Sequence, residues 1–446
     1  MDSPSLDFDQ HARIAAVRVD GAKSTRRSFL ASIVHPHLRD HSSSSFESVL
    51  RTTRDIGHYL VQTDLFQSVQ ARLEPSAEPA SKLGDVDVIF TTHERPRFFL
   101  KTSTEVGNSE GNASATSRIR NVFGGAETFE ANVSFGTKTR RSFHAAFTAP
   151  ITPTLDTHGE LSVFALDRDN SSYMSATETL RGARAVIRRG AIGTHAGQHE
   201  FGYEATLRRI GDLQPTASIS VREAAGTSTK SSLFHAWTHD SRDHAIFGTR
   251  GVRAQFRHEL AGLGGDTAFY KAEGGLQASR VLLPGVLLSL GARAGVLHPL
   301  GADGSASAPT LSDRFQLGGP TNLRMFRANG LGPHDGTDSL GGDLFWTAGA
   351  SVITHLPYKP LWPVKAHAFL NAGQLESVSS CAGSGSSALR SSIAAALTKP
   401  SVSAGVGLIY LFDPVRVELN FGVPLAARAS DGMRKGVQVG IGLEFL

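Results

Sequence analysis

From about Phe98 onward the chain alternates apolar and polar residues in segments of nine or ten, separated by turn residues. A period of two belongs to strands whose two faces meet different surroundings. Phe129, Ala131, Val133 and Phe135 alternate with Glu130, Asn132, Ser134 and Gly136; Val252, Ala254 and Phe256 alternate with Arg253, Gln255 and Arg257. Leu288 to Val296, Trp346 to Val352, Val364 to Leu370, Val402 to Tyr410 and Val415 to Phe421 repeat the pattern. So does the last segment, where Val437, Val439, Ile441, Leu443 and Phe445 oppose Gln438, Gly440, Gly442 and Glu444.

The first ninety residues read differently. Ala15, Val17 and Val19 alternate as a strand, and Phe29, Leu30, Ile33 and Val34 recur at helical spacing until Pro36 ends the run. Ser44 and Glu47 form a capping box that opens a second helix with Phe46, Val49, Leu50, Thr53, Ile56, Gly57 and Leu60 on one face. Val69 to Leu73 and Val86 to Phe90 complete a strand-helix-helix-strand-strand unit.

The period-two pattern fits a soluble sandwich or a membrane barrel, and the composition of the faces separates them. Alanine-rich apolar faces make a poor dry core but cost little against lipid, while glycine and full charges on the other face suit a filled or wet lumen. Residues 97–446, at roughly 22 per strand and connection, give about 16 strands, an even number that returns the C-terminus to the side where the barrel began. The expected fold is an all-β transmembrane barrel of about 16 antiparallel strands behind a small N-terminal α+β domain. Its parts are a flexible N-terminus (1–12), the small domain (13–95), and the barrel (97–446) with a long loop at 299–343.

Composition narrows the chemistry. Mean hydropathy is -0.14 and no window offers the 18 or so apolar residues of a membrane helix. A net charge of +4, spread without blocks, gives no footprint for nucleic acid. Cys381 stands alone, which excludes an internal disulfide or a cysteine metal site. His35 with His37 and His195 with His199 lack a third ligand nearby, and Gly405-x-Gly407 and Gly440-x-Gly442 lie inside strands with no following helix. No nucleophile-base grouping stands out. No cofactor, no metal and no enzymatic activity are expected. Met1 to Asp20 hold acids and no apolar core, unlike a secretory signal. The Ser/Ala/Gly-rich stretch from Glu376 to Ser401, with a short helix near Leu389 to Leu397, is expected to be a surface loop on the side away from the small domain.

One segment resists a reading as linker. Arg314 to Gly336 is long and glycine-rich, yet it carries Leu317, Leu323, Met325, Phe326 and Leu331. A connection of this length is functional or disordered, and its apolar content requires something to fold onto.

Asp313-Arg-Phe-Gln-Leu-Gly-Gly-Pro-Thr-Asn-Leu-Arg-Met-Phe326, followed by Asn329-Gly-Leu-Gly-Pro333 and Asp338-Ser-Leu-Gly-Gly-Asp343, carries a resemblance. With Asn121-Val-Phe-Gly-Gly-Ala-Glu127 and Glu418-Leu-Asn-Phe-Gly-Val-Pro424, it is similar to the BamA-type outer-membrane assembly superfamily. The similarity is to its mitochondrial branch, the core barrel of the sorting and assembly machinery, and the small domain resembles that superfamily's POTRA domain. One position departs: where the sixth-loop signature has glycine after arginine, this chain has Met325.

The resemblance implies that the loop between the eleventh and twelfth strands enters the lumen, placing Gly318, Gly319, Leu323, Arg324 and Phe326 there, with Arg324 meeting carboxylates or carbonyls of the wall. It implies an insertase that folds β-barrel precursors into the mitochondrial outer membrane, its small domain in the intermembrane space. The implied partners are barrel precursors, peripheral subunits of the machinery and membrane lipid. Gln438 to Phe445 looks like the β-signal read in substrates. The implied seam pairs incoming strands at Leu100, Thr102, Thr104 and Val106 on the first strand, beside Gly440, Leu443 and Phe445 on the last. Gly440 and Gly442 would either weaken the closing strand or relieve crowding in a full lumen. A solute channel would instead need an open lumen, and a secretion translocase would pass a chain through it.

Overall fold

A computed structural model describes residues 11–39, 45–77, 79, 81–82, 84–107, 110–300, 309–356, 362–377, 398–412, 415–442 and 445. The first ten residues of the expected flexible start (1–12), Ser44, the helix near Leu389 to Leu397, Cys381 and Leu443 lie outside these; His11 bridges to Ser45 and Ala12 is buried.

The small domain is β1 (Arg13–Asp20), α1 (Arg27–Arg39), α2 (Phe46–Gln62), β2 (Phe66–Pro75) and β3 (Asp85–Glu94). Its sheet order is β1-β3-β2, with β1 parallel and β2 antiparallel to β3. The helices bury Leu30, Val34, Ile56 and Leu60 against Leu65, Phe66, Val88 and Phe90. Two local expectations are corrected. Helix α1 does not stop at Pro36 but runs on to Arg39, because Leu38 packs on the core and His37 lies against Tyr59, offsetting the hydrogen bond that proline cannot make. The N-cap of α2 is Ser45, whose side chain accepts from Ser48 N, while Glu47 pairs with Arg51.

The barrel wall begins with β4 (Phe98–Gly107), β5 (Glu110–Arg120), β6 (Thr128–Gly136), β7 (Thr139–Pro150), β8 (Thr157–Asp169), β9 (Thr177–Arg189) and β10 (Gln198–Gly211). It continues through α3 (Ile219–Glu223), β11 (Gly226–Asp240), β12 (Gly251–Gly265), β13 (Phe269–Leu283) and β14 (Val286–Pro299). After a small hairpin, β15 (His334–Asp335) and β16 (Asp338–Ser339), come β17 (Leu344–His355), β18 (Val364–Glu376), β19 (Ser401–Phe412), β20 (Val415–Ala426) and β21 (Gly436–Gly442). Sixteen antiparallel strands follow one another in a single sheet from β4 to β21. The turn between β5 and β6 meets the small domain, so alternate connections, including 300–343, lie at the far end.

Burial is inverted relative to a water-soluble protein. Leu161 is 63% exposed on the outer face while Glu418 is 0% exposed inside. Outward apolar rows with inward charges are the pattern of a barrel in lipid. The inner charges are matched across strands, as in Arg188 with Glu160 and Glu200, or Lys230 with Glu204 and Glu259. No described helix is long and apolar enough to cross a membrane. Wall height is uneven: β11, β12 and β13 have fifteen residues each, β4 ten and β6 nine.

Candidate functional site

The loop after β14 is anchored at its root and then folds into the barrel. Asp313 takes two hydrogen bonds from the Arg208 guanidinium and others from Thr310, while Lys271 Nζ donates to its carbonyl at 2.7 Å. Phe315 and Gly342 exchange backbone hydrogen bonds at 2.9 Å, closing the loop's neck. On the returning limb Asp338 accepts from Ser175 N and Oγ and from Ser218 N. Burial alone would raise that carboxyl's pKa, but these donors hold it below the usual aspartate value.

The apolar residues of the segment now have a destination. Leu317, Leu323, Phe326 and Leu331 are buried with Phe269, Leu297, Phe345 and Leu375 of the inner wall. Gly318 and Gly319 have φ of +115° and +113°, and a Cβ on Gly318 would lie 2.5 Å from Arg327 O. Only glycine makes this turn without strain.

At the tip, Arg324 is 1% exposed. Its Nε and Nη2 donate to the two oxygens of Glu418 on β20 at 2.9 and 3.1 Å, and Nη1 donates to Asn371 Oδ1 on β18 at 3.2 Å. Glu418 also pairs with Arg416 and accepts from Asn420 Nδ2 at 3.0 Å. A guanidinium so far from water persists only with a planar, two-pronged acceptor, which Glu418 supplies. Ser403 Oγ donates to Arg324 O at 2.7 Å. Gln438 on β21 grips the next peptides, accepting from Met325 N at 2.8 Å and donating to Phe326 O at 2.9 Å. The tip thus fastens β18, β19, β20 and β21 together.

Met325 keeps the backbone that glycine would take, with φ of +66°, and its side chain is fully buried. The space comes from Gly422 on β20, where a Cβ would meet Met325 Sδ at 2.6 Å. A second glycine therefore accommodates the methionine.

The seam lies between β4 and β21. The two strands are spatial neighbours, yet among the described residues no backbone ladder joins them, whereas every other adjacent pair in the wall is laddered. Leu100, Thr102 and Thr104 face outward and are exposed. Val106 falls within β4, and its side chain lies outside the described residues. Gly440 faces inward, and its missing Cβ leaves room for Pro320 and Phe445, at 3.0 and 3.1 Å. That is relief of crowding.

Phe445 departs from the face its sequence parity assigns. Val437 and Val439 are outward and exposed, and the same alternation would put Phe445 in lipid. Instead Phe445 is 5% exposed, its ring 4.8 Å from the Arg416 guanidinium and 5.7 Å from that of Arg324. Gln277 Nε2 on the opposite wall donates to Phe445 O at 3.2 Å. Two arginines facing one ring favour the lumen over lipid for Phe445.

Two further elements complete the site; the first was not singled out in the sequence, and the second was quoted there only as a motif. The turn 241–250, at the small-domain end, folds inward and buries Phe247 against Leu287, Ile353 and Ile409, with Lys365 Nζ 4.0 Å from its ring. Asn121, quoted above for the resemblance, donates to Ser24 O and Thr25 Oγ1 of the small domain, and Arg26 pairs with Glu127 at 2.7 Å. That motif is a socket for the small domain.

Asn371 and Ser403 were visible in the sequence only as polar members of inward faces, and Glu418 and Gln438, though quoted in motifs, were not identified as partners of the loop. Among the described residues no cluster of His, Cys, Asp and Glu is arranged to hold a metal.

A family model described as the Omp85 superfamily domain matches residues 121–445. A SAM50-like protein of Schizosaccharomyces pombe is 34% identical over 442 residues, covering 97% of this chain and 90% of its own length. The sorting and assembly machinery component 50 homolog of Homo sapiens is 31% identical over 404 residues, 89% of this chain and 83% of its own. Among solved structures, BamA from Haemophilus ducreyi lacking POTRA domains 1–3 has a TM-score of 0.78 at 17% identity, covering 98% of this chain and 86% of that one. At that identity the structural match speaks for the fold alone.

Proposed function

The chain belongs to the Omp85 superfamily, among the homologues of component 50 of the sorting and assembly machinery, and from that premise we propose that it assembles β-barrel precursors in the mitochondrial outer membrane by strand addition at the seam. The observation that carries this reading is that, among the described residues, no ladder joins β4 and β21. An unpaired strand edge is a template for another strand, which is why proteins usually hide one. In hydrocarbon every unsatisfied N–H and C=O costs several kcal/mol, so a precursor strand arriving beside β4 gains hydrogen bonds that the lipid cannot offer.

The rest of the site supports such a role. The lumen loop fixes β18 to β21 as a rigid half, leaving β4 as the edge that can yield. The short strands β4 and β6 would mismatch a bilayer and thin it beside the seam, where a new barrel would leave. The small domain, seated by Arg26, Asn121 and Glu127, would lie in the intermembrane space and receive precursors there. The protein would work with the machinery's peripheral subunits, without cofactor and without covalent chemistry. A lumen filled by the loop and by Phe247 speaks against a solute channel.

Cysteine crosslinking tests the reading. A precursor's final strand should crosslink to cysteines placed at Leu100, Thr102 or Thr104. Crosslinks confined to lumen positions such as Asn371 would reject strand addition in favour of passage through the pore.

A further inference from the structure

We propose that Arg181 and Arg209 bind the phosphate of an anionic phospholipid on the outer wall, in the leaflet away from the small domain. The inference rests on the barrel spanning a bilayer and is independent of how the seam works.

The two residues are on adjacent strands and both point outward, exposed. Arg181 sits opposite Leu207, and Arg209 opposite Thr179. The two arginines are therefore diagonal neighbours, with backbones about 7–8 Å apart, near enough for both guanidiniums to reach one phosphate. Their neighbours Arg141 and Arg208 are matched to Asp167 and Asp313. Among the described residues no carboxylate lies within ion-pair distance of Arg181 or Arg209; Asp167, diagonal to Arg181 on the same face, is held by Arg141, and Asp212 accepts from Thr177, so the patch keeps a net positive charge.

Height fixes the kind of anion. On the same face of β9, Arg181 is followed by Ala183, Ala185 and Ile187 before the next cation, Arg189. Eight residues at about 3.3 Å each, tilted by roughly 40°, span about 20 Å, close to the apolar band of a membrane barrel. Arg181 and Arg209 thus stand where lipid phosphates lie, and long basic side chains at that level reach for them.

The wall below them is shaped for an acyl chain. Ala183 is paired with Ala205 on one side and Val163 on the other, and Ala185 with Tyr203 and Leu161. The small residues form a shallow trough between larger ones, running from the arginines toward mid-membrane. A headgroup contact that continues into a lipid-facing trough fits a phospholipid better than a soluble anion or an acidic protein.

The test is native mass spectrometry of the full chain released from phosphatidylcholine vesicles doped with phosphatidylglycerol. The wild type should retain phosphatidylglycerol, with preference over phosphatidylcholine of at least about tenfold, and Arg181→Gln with Arg209→Gln should abolish that preference. Arg189→Gln should leave it intact, and a heat-modifiable gel band should show all variants folded. Equal retention of both lipids, or unchanged preference in the double variant, would overturn the proposal. So would loss of retention on adding inorganic phosphate, which would mark a bare anion site. Loss of a co-purifying protein with lipid retention unchanged would reassign the patch to a protein partner. Precursor crosslinking to β4 in the same variants keeps this outcome separate from that of the seam.

Discussion

Arg324 and Glu418 exclude water from each other, and Glu418 carries a second arginine, Arg416, on the same carboxylate. Removing one cation leaves the acid partly matched, whereas removing the acid leaves two buried cations facing each other. Breaking such a buried pair costs about 3–5 kcal/mol. Glu418→Gln should therefore lower the unfolding midpoint in detergent more than Arg324→Ala, and equal midpoints would show that the network does not hold the lumen loop. Met325 allows a sharper test. Gly422→Ala should cost about 1–3 kcal/mol by overpacking the thioether, and Met325→Gly in the same chain should recover most of it. A double-mutant cycle with no coupling would refute the contact. The importance of Arg324 could be read from the sequence through its motif. Its partner could not, because alternation assigns Glu418 a face but no height or neighbour, and 94 residues separate the two.

At the scale of elements, period two made the wall readable: nearly every outward row lies where the apolar positions put it, since a one-residue slip would turn charges into lipid. The exceptions are ends and turns, where period carries no information. Pro36 obeys packing rather than its own helix rule, and Phe445 obeys two arginines rather than strand parity. The turn 241–250 has the polar composition of a surface loop, and a single aromatic decides that it closes the lumen from the small-domain side. Phe247→Ala should raise the conductance of the full chain in planar bilayers, because it removes the aromatic by which this turn packs across the small-domain end of the lumen. Unchanged conductance would mean that this end is sealed by other residues.

For the whole molecule, the asymmetry of the barrel is the main result. On one side of the seam β18 to β21 are laddered and cross-braced through the lumen by Arg324 and Gln438; on the other stands the short strand β4, which among the described residues shares no ladder with β21. The small domain is bolted to the turn between β5 and β6, two strands from that edge, so it stands beside the seam rather than at random around the rim. The account requires that β4 and β21 separate for a precursor to enter. A disulfide between a cysteine at Thr102 or Thr104 and one at Val437 or Val439, formed in the full chain in vesicles, would hold them together. Insertion of a β-barrel precursor should stop on oxidation and resume on reduction; insertion that continues with the seam locked would contradict strand addition at β4.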